Sequence, residues 1–326
     1  MAQLRATLKK LPTAEAALPR ETRRRRPAAD LHRGRVGAGQ PTRMVPVRFT
    51  LTAPSTAAVY GVTGPQSAFV KILQAPRHSA VFATVPRELR ERFAREFPWR
   101  GEADFLRSGF ELPPGLRTPA VFRIDELGDD RVAMWLEDVR CTDLPRDPPR
   151  LEHAAYLLGR WAGRRFGGAP GPALRILAEG RIHADAITRD DQRTLARGVP
   201  DLLDRLDALP QTTGHHDACP QNLLVPRDEP DTFVVIDVCW QCPLPVGSGL
   251  GELLVGLADE GELPVAALPV LRELVVDACQ DGLRAEGHAV GRDEIAFGCD
   301  ASLAIRSAFH TPPELSAYLT RLGLAA

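Results

Sequence analysis

The stretch Gly214-His215-His216-Asp217-Ala218-Cys219-Pro220-Gln221-Asn222-Leu223-Leu224-Val225, resumed at Phe233-Val234-Val235-Ile236-Asp237-Val238, decides how this chain is read. It contains His-x-Asp-x-x-x-x-Asn, and Asp237 follows Asn222 by fifteen residues at the end of an apolar strand. The apolar runs QNLLV and TFVVIDV flank a turn-like segment, 226–231, so a hairpin gathers Asp217, Asn222 and Asp237. Phosphoryl transfer needs such a set. One carboxylate orients the attacking hydroxyl and takes its proton, while an amide oxygen and a second carboxylate hold Mg²⁺ on the phosphates.

Composition sharpens two of these positions. Asn222 is the only asparagine in 326 residues, and only three of the 41 basic residues are lysines: Lys9, Lys10 and Lys71. Lysine is ordinarily among the commonest residues. Where arginine has replaced it almost everywhere, a surviving lysine marks chemistry that arginine does not do. Lys71 lies mid-strand in Phe69-Val70-Lys71-Ile72-Leu73. A strand lysine of this kind reaches the α- and β-phosphates and pairs with a helix glutamate, and a compact ammonium suits that narrow site better than a guanidinium. Glu102, opening GEADFLRSG, is the expected partner; Glu88, Glu91 and Glu96 on the preceding helical stretch are the alternatives.

Working outward, residues 45–51, 56–62 and 68–73 read as three short strands, with a turn at Gly64-Pro65. In 86–97 the spacing of Leu89, Phe93 and Phe97 predicts an amphipathic helix. PAVFRIDEL and RVAMWLEDV form a strand pair about Gly128-Asp129-Asp130. Beyond a Pro/Asp-rich link at 143–149, helical patterns dominate in 151–166, in 194–209 and from Leu263 onward. The expected division is an Arg-rich mobile extension over 1–43, an N-terminal nucleotide-binding lobe over 44–138 and a C-terminal catalytic and substrate-binding lobe over 139–326. The extension reads as a solvated tail or as sequence upstream of an initiator at Met44. Trp135 and Trp161 read as core.

The net charge of -1 is a cancellation. Residues 1–43 carry 11 Lys/Arg and 3 Asp/Glu, whereas 44–326 carry 30 and 39. At 44% hydrophobic residues the chain is not wholly disordered. Its apolar runs are too interrupted to span a bilayer, and the N-terminus lacks a secretory signal's apolar stretch. Six cysteines over this length do not make a disulfide scaffold. Cys239-x-x-Cys242 without a second pair reads as reduced thiols rather than a zinc site. A cytoplasmic location follows as the default. His215 is expected to brace its loop by hydrogen bonding; His216 reads either as pocket lining or as an exposed bystander.

These features together resemble the aminoglycoside phosphotransferase family, which includes choline, homoserine and fructosamine kinases. The family's H-G-D-x-H-P-x-N appears as residues 215–222 and its I-D-W as 236–238, with His216, Cys219 and Val238 departing from the pattern. The resemblance implies an α+β, bilobal protein-kinase-like fold with a small β-rich N-lobe and a larger, mainly helical C-lobe. It implies ATP and Mg²⁺ as cofactors, Asp217 as catalytic base, Asn222 and Asp237 as metal ligands, and Lys71 on the phosphates with Glu102 positioning it. The backbone of residues 136–139, named here by Leu136, Glu137 and Val139, would bond adenine. Ser55 and Thr56 would replace a Gly-rich phosphate loop.

The implied activity is transfer of the γ-phosphate to a hydroxyl of a small molecule, such as a cationic antibiotic or other natural product, in resistance or biosynthesis. The acidic body favours a cationic acceptor, with Glu252, Asp259, Glu260, Glu262, Asp293 and Glu294 as candidate contacts. Neither a membrane nor nucleic acid is the expected partner, and the oligomeric state stays open. The alternative is a nucleotide-binding regulator with little turnover whose Arg-rich tail contacts nucleic acid.

Overall fold

The computed structural model describes residues 43–47, 54–64, 67–142, 147–182, 184–259 and 261–324. The Arg-rich run at 23–26, Pro65 of the expected turn, most of the 143–149 link and Glu260 lie outside them.

Three strands come first among the described residues: β1 (Arg43–Pro46), β2 (Thr56–Thr63) and β3 (Ala68–Gln74). The first lies earlier than expected. Arg43, assigned to the extension, already pairs with Thr63, and 48–51 of the expected strand fall outside the described residues. Helices α1 (Arg90–Glu96) and α2 (Gly101–Arg107) follow, then β4 (Leu116–Arg117), β5 (Val121–Gly128) and β6 (Arg131–Leu136). The five longer strands form an antiparallel sheet in the order β1-β2-β3-β6-β5. The β5–β6 turn holds Gly128, Asp129 and Asp130 at φ of 76°, 48° and 49°, the left-handed region that Gly and Asp enter at least cost.

Strand alternation explains where Lys71 points. Ala68 and Val70 pack with Val62 on one face, while Leu73 packs with Val132, Met134 and Ala103 of α2 on the other. Lys71 is two residues from Leu73 and so faces α2, from the middle of a strand paired on both sides with Val59 and Met134. Helix α1 is anchored as its spacing predicts: Phe93 and Phe97 are buried with Val85 and Ile176, their rings stacked at 5.1 Å.

The second lobe contains α3 (Pro148–Arg164), α4 (Ala173–Arg181), α5 (Asp190–Asp207), β7 (Gln211–Thr212), β8 (Leu223–Leu224), β9 (Phe233–Val235) and β10 (Leu244–Pro245). It ends with α6 (Leu250–Asp259), α7 (Leu268–Ala285), α8 (Arg292–Ser307) and α9 (Pro313–Leu324). Asp147 caps α3 by accepting from the Arg150 N–H at 3.2 Å. Helices α3 and α7 lie so close that a Cβ at Gly282 would sit 2.1 Å from the Tyr156 carbonyl oxygen.

The hairpin β8–β9 forms as the sequence indicates, and β4 adds a parallel edge to β9 that local periodicity did not signal. Helices α4 and α6 were likewise not foreseen. Trp161 is fully buried. Trp135, expected in the core, is only partly buried: Arg123 covers its ring at 4.3 Å and its Nε1 donates to Asp125. No helix among the described residues is long and apolar enough to cross a membrane.

Candidate active site

Lys71, Glu102 and Asp237 come from three distant segments and meet beneath the sheet. Lys71 Nζ donates to Glu102 Oε2 at 2.6 Å and also to Asp237 Oδ1. The other oxygen of Glu102 accepts the backbone N–H of Asp237 at 2.8 Å. Asp237 can turn that N–H toward α2 because it adopts φ 61°, a conformation Asp tolerates better than most residues. Gly101 makes the approach possible, since a Cβ there would lie 2.0 Å from the Cys239 carbonyl oxygen.

The electrostatics follow from burial. Lys71 and Glu102 are 8% and 3% exposed. Desolvation pushes the Lys71 ammonium down, but the carboxylates of Asp237 and Glu102 outweigh it and hold it well above the usual lysine range. Burial pushes the Glu102 carboxyl up, opposed by Lys71 and reinforced by Asp237. Of the alternative partners, Glu96 is engaged by Arg92 and Arg95 instead.

The second cluster stands on the segment that opens the sequence reading. Asn222 is buried in a short 3-10 turn, Pro220–Asn222, directly before β8. Its Nδ2 donates to the Asp217 carbonyl at 2.9 Å, and its own carbonyl accepts from Ile236 N at 3.0 Å. Leu223 pairs with Val235, so the hairpin register sets Asn222 beside the residue preceding Asp237.

Helix α8 supplies a side chain that sequence reasoning missed. Arg306 Nη2 donates to Asp217 Oδ1 at 2.8 Å, and Nη1 donates to the His216 carbonyl. Its Nε lies 3.4 Å from Glu252 Oε1, an atom that also accepts from Ser307 Oγ at 3.4 Å. The scarcity that exposed Lys71 and Asn222 is blind to one arginine among many.

Both histidines of this segment are buried. His215 packs on Trp161 at 5.8 Å between ring centres, with the backbone of Asn222 and Ile236 facing its ring. Burial pushes its pKa down to about 4. His216 is no exposed bystander: it is 4% exposed, and burial pushes its pKa down to about 3. With its proton on Nε2 it donates to Thr212 O at 3.0 Å and accepts the Ser248 hydroxyl on Nδ1, also at 3.0 Å. With the proton on Nδ1 it donates to Ser248 and accepts Gly214 N–H at 3.1 Å. Either neutral form uses both nitrogens.

The remaining candidates lie around this centre. Ser55 and Thr56 are both buried, and Thr56 opens β2 rather than lying in a loop. Leu136 closes β6, and the Glu137 N–H, one of the donors expected for adenine, is already committed to Ala120 O at 2.8 Å. The Glu137 side chain bonds Arg117, which holds its carboxyl below the usual range. The Val139 carbonyl accepts from Cys141 Sγ at 3.4 Å.

Among the described acidic candidates, Glu252 and the pair Asp293 and Glu294 stand apart. Glu252 is paired with Arg306, and Glu294 caps α8 through Gly291 N at 2.8 Å. Asp293 and Glu294 sit at the opposite end of α8 from Arg306, about 18 Å away at 1.5 Å rise per residue. Burial pushes the thiols of Cys219 and Cys242 up to about 12 and about 11, and that of Cys239 well above its usual value. Among the described residues no three His, Cys, Asp or Glu side chains are gathered as for a metal ion.

No protein-family model matches the chain, and no curated protein matches it in sequence. Solved structures do. Aminoglycoside phosphotransferase APH(3'')-Id from Streptomyces rimosus is 15% identical, over 81% of this chain and 92% of that one, with a TM-score of 0.48. The amicoumacin kinase hAmiN, solved with AMP-PNP, Ca²⁺ and Ami, is 13% identical over 86% of each chain, with a TM-score of 0.50. With this similarity the architecture is assigned: the chain has an α+β, protein-kinase-like fold with a small antiparallel sheet in the N-lobe and a helical C-lobe.

Proposed function

We propose that this chain is an ATP- and Mg²⁺-dependent phosphotransferase that moves the γ-phosphate to a hydroxyl of a small molecule, as a member of the aminoglycoside phosphotransferase family. The carrying observation is the convergence of Lys71, Glu102 and Asp237 beside the loop bearing Asp217 and Asn222. The donor set fits a hard divalent cation. Asn222 Nδ2 is committed to Asp217 O, which leaves the amide oxygen as its acceptor. The Asp237 side chain is 44% exposed. Two oxygen ligands completed by phosphates and water are what Mg²⁺ takes. Bound there, Mg²⁺ supplies charge neutralisation on the phosphates.

The chain's own residues do the rest. Lys71 moves its ammonium from Asp237 to the α- and β-phosphates while Glu102 keeps hold of it. The Glu137 carbonyl and the Val139 N–H take the adenine edge, and Ser55 and Thr56 flank the phosphates. Asp217 orients the acceptor hydroxyl in line with the γ-phosphorus and receives its proton as the new O–P bond forms and the bond to the β–γ bridging oxygen breaks. ADP and the phosphorylated acceptor leave.

For the acceptor, the acidic balance of residues 44–326 supports a cationic hydroxyl compound such as an aminoglycoside or another cationic antibiotic. Of the candidate acidic contacts, Glu252 and Glu294 are engaged within the protein. A labelled-ATP transfer screen against aminoglycosides, nucleoside antibiotics, sugars and amino alcohols tests this reading. Asp217→Asn should lower transfer by about 10³-fold while nucleotide affinity stays unchanged; undiminished turnover in that variant refutes the mechanism.

A further inference from the structure

Three segments that the sequence does not connect meet at the candidate base. Asp217 lies on the loop before β8, Glu252 in the first turn of α6 and Arg306 in the last turn of α8. Helices α6 and α8 are core elements pressed together, with Leu303 filling the space a Cβ at Gly251 would need. Along α8 nearly every residue from Ile295 to Ile305 is buried. The Arg306 side chain, 14% exposed, therefore projects from a rigid support rather than from a loop, and rigid supports hold catalytic geometry best.

The bonding is a fork. One guanidinium nitrogen takes Asp217 Oδ1 and the other the His216 carbonyl, so backbone and side chain of adjacent residues are tied to one planar group. Glu252 lies against Nε at 3.4 Å, and the Trp240 ring centre is 5.9 Å from the guanidinium carbon. An ammonium has no such spread of donors in one plane.

We infer that Arg306 is a positioning residue: it fixes the rotamer of Asp217 by clamping Oδ1, reserves Oδ2 for the acceptor hydroxyl, and is itself aimed by Glu252. This rests on the proposed function, in which Asp217 is the base. The bonds that hold Arg306 go to Asp217, the His216 carbonyl and Glu252, none of which the proposed function places on the nucleotide, so its work is separable from nucleotide binding.

The test uses the full chain with Mg²⁺-ATP hydrolysis as the turnover probe and Mg²⁺-AMP-PNP titration as the binding probe. Arg306→Gln should lower kcat about 10²-fold, the scale of a misplaced catalytic group, with Kd for AMP-PNP within twofold of wild type. Arg306→Lys should recover part of the loss, because an ammonium pairs with Asp217 but does not span to the His216 carbonyl. A folded Arg306→Gln protein with kcat within threefold of wild type overturns the inference, as does a loss of kcat matched by an equal loss of nucleotide affinity. Should Arg306→Gln not fold, Arg306→Lys decides alone: a tenfold lower kcat at unchanged Kd supports the assignment, and wild-type kcat overturns it. Asp217→Asn separates the two levels. If it hydrolyses ATP at the wild-type rate, the proposed function falls and this inference with it. If it is inactive while both Arg306 variants turn over normally, only the positioning role falls.

Discussion

The candidate site holds two triads of the same charge type. In one, Lys71 sits between Glu102 and Asp237; in the other, Arg306 sits between Asp217 and Glu252. Each joins three distant parts of the chain and carries two carboxylates to one cation. They differ in the cation and in the tightness of the contact. Lys71 is a point charge with a 2.6 Å bond to a carboxylate 4% exposed. Arg306 is a planar fork whose second carboxylate is 3.4 Å away and 15% exposed. A point charge slides from one anion to another at little cost, as a phosphate-binding group must. A fork bound to a backbone carbonyl holds still, which suits the orientation of a base.

The contrast is open to attack by mutation. Glu102→Gln breaks a tight buried pair and should cost about 3 kcal/mol of stability, whereas Glu252→Gln loosens a longer contact and should cost about 1 kcal/mol. Chemical denaturation of both variants measures this, and equal costs would erase the distinction. Next, Lys71→Arg keeps the charge and loses the compact geometry, so turnover should fall about 10²-fold. A near-wild-type rate would mean that the two cations are interchangeable after all.

The smallest effect concerns the support beneath the second triad. His216 is held neutral by burial, with a folded pKa of about 3 against an ordinary 6.5. The unfolded chain therefore binds a proton that the folded one refuses. The contribution is complete above pH 6.5 and is lost as pH falls toward 3, reaching about 2 kcal/mol by pH 5. His216→Gln should flatten the stability–pH curve over that window relative to wild type; an unchanged slope would show that the ring is not held neutral.

How much of this was legible beforehand depended on what made each residue conspicuous. Lys71 and Asn222 stood out because their types are nearly absent from the chain, and β2, β3, β6 and α1 announced themselves by alternation or four-residue spacing. Helix α6 did not. It is buried on most sides, at Leu250, Gly251, Leu253, Leu254, Val255 and Leu257, and a helix apolar all round loses the 3.6-residue signature. Strand β4 is two residues long and exists by pairing with β9, far away in sequence, so no local pattern encodes it. Arg306 was hidden by abundance, and Glu252 was noticed for its charge without any means of seeing which cation it serves. His216 looked incidental because burial, rather than identity, gives it a role.

The seclusion of Lys71 also makes it a reporter. From Met44 onward it is the sole lysine side chain, screened behind two carboxylates at 10% side-chain exposure. An amine-selective acylating reagent applied to the chain from Met44 onward therefore meets one ε-amine. The rate at which that amine is modified measures how often the triad opens, and a bound nucleotide that takes over the ammonium would register as protection at a single peptide.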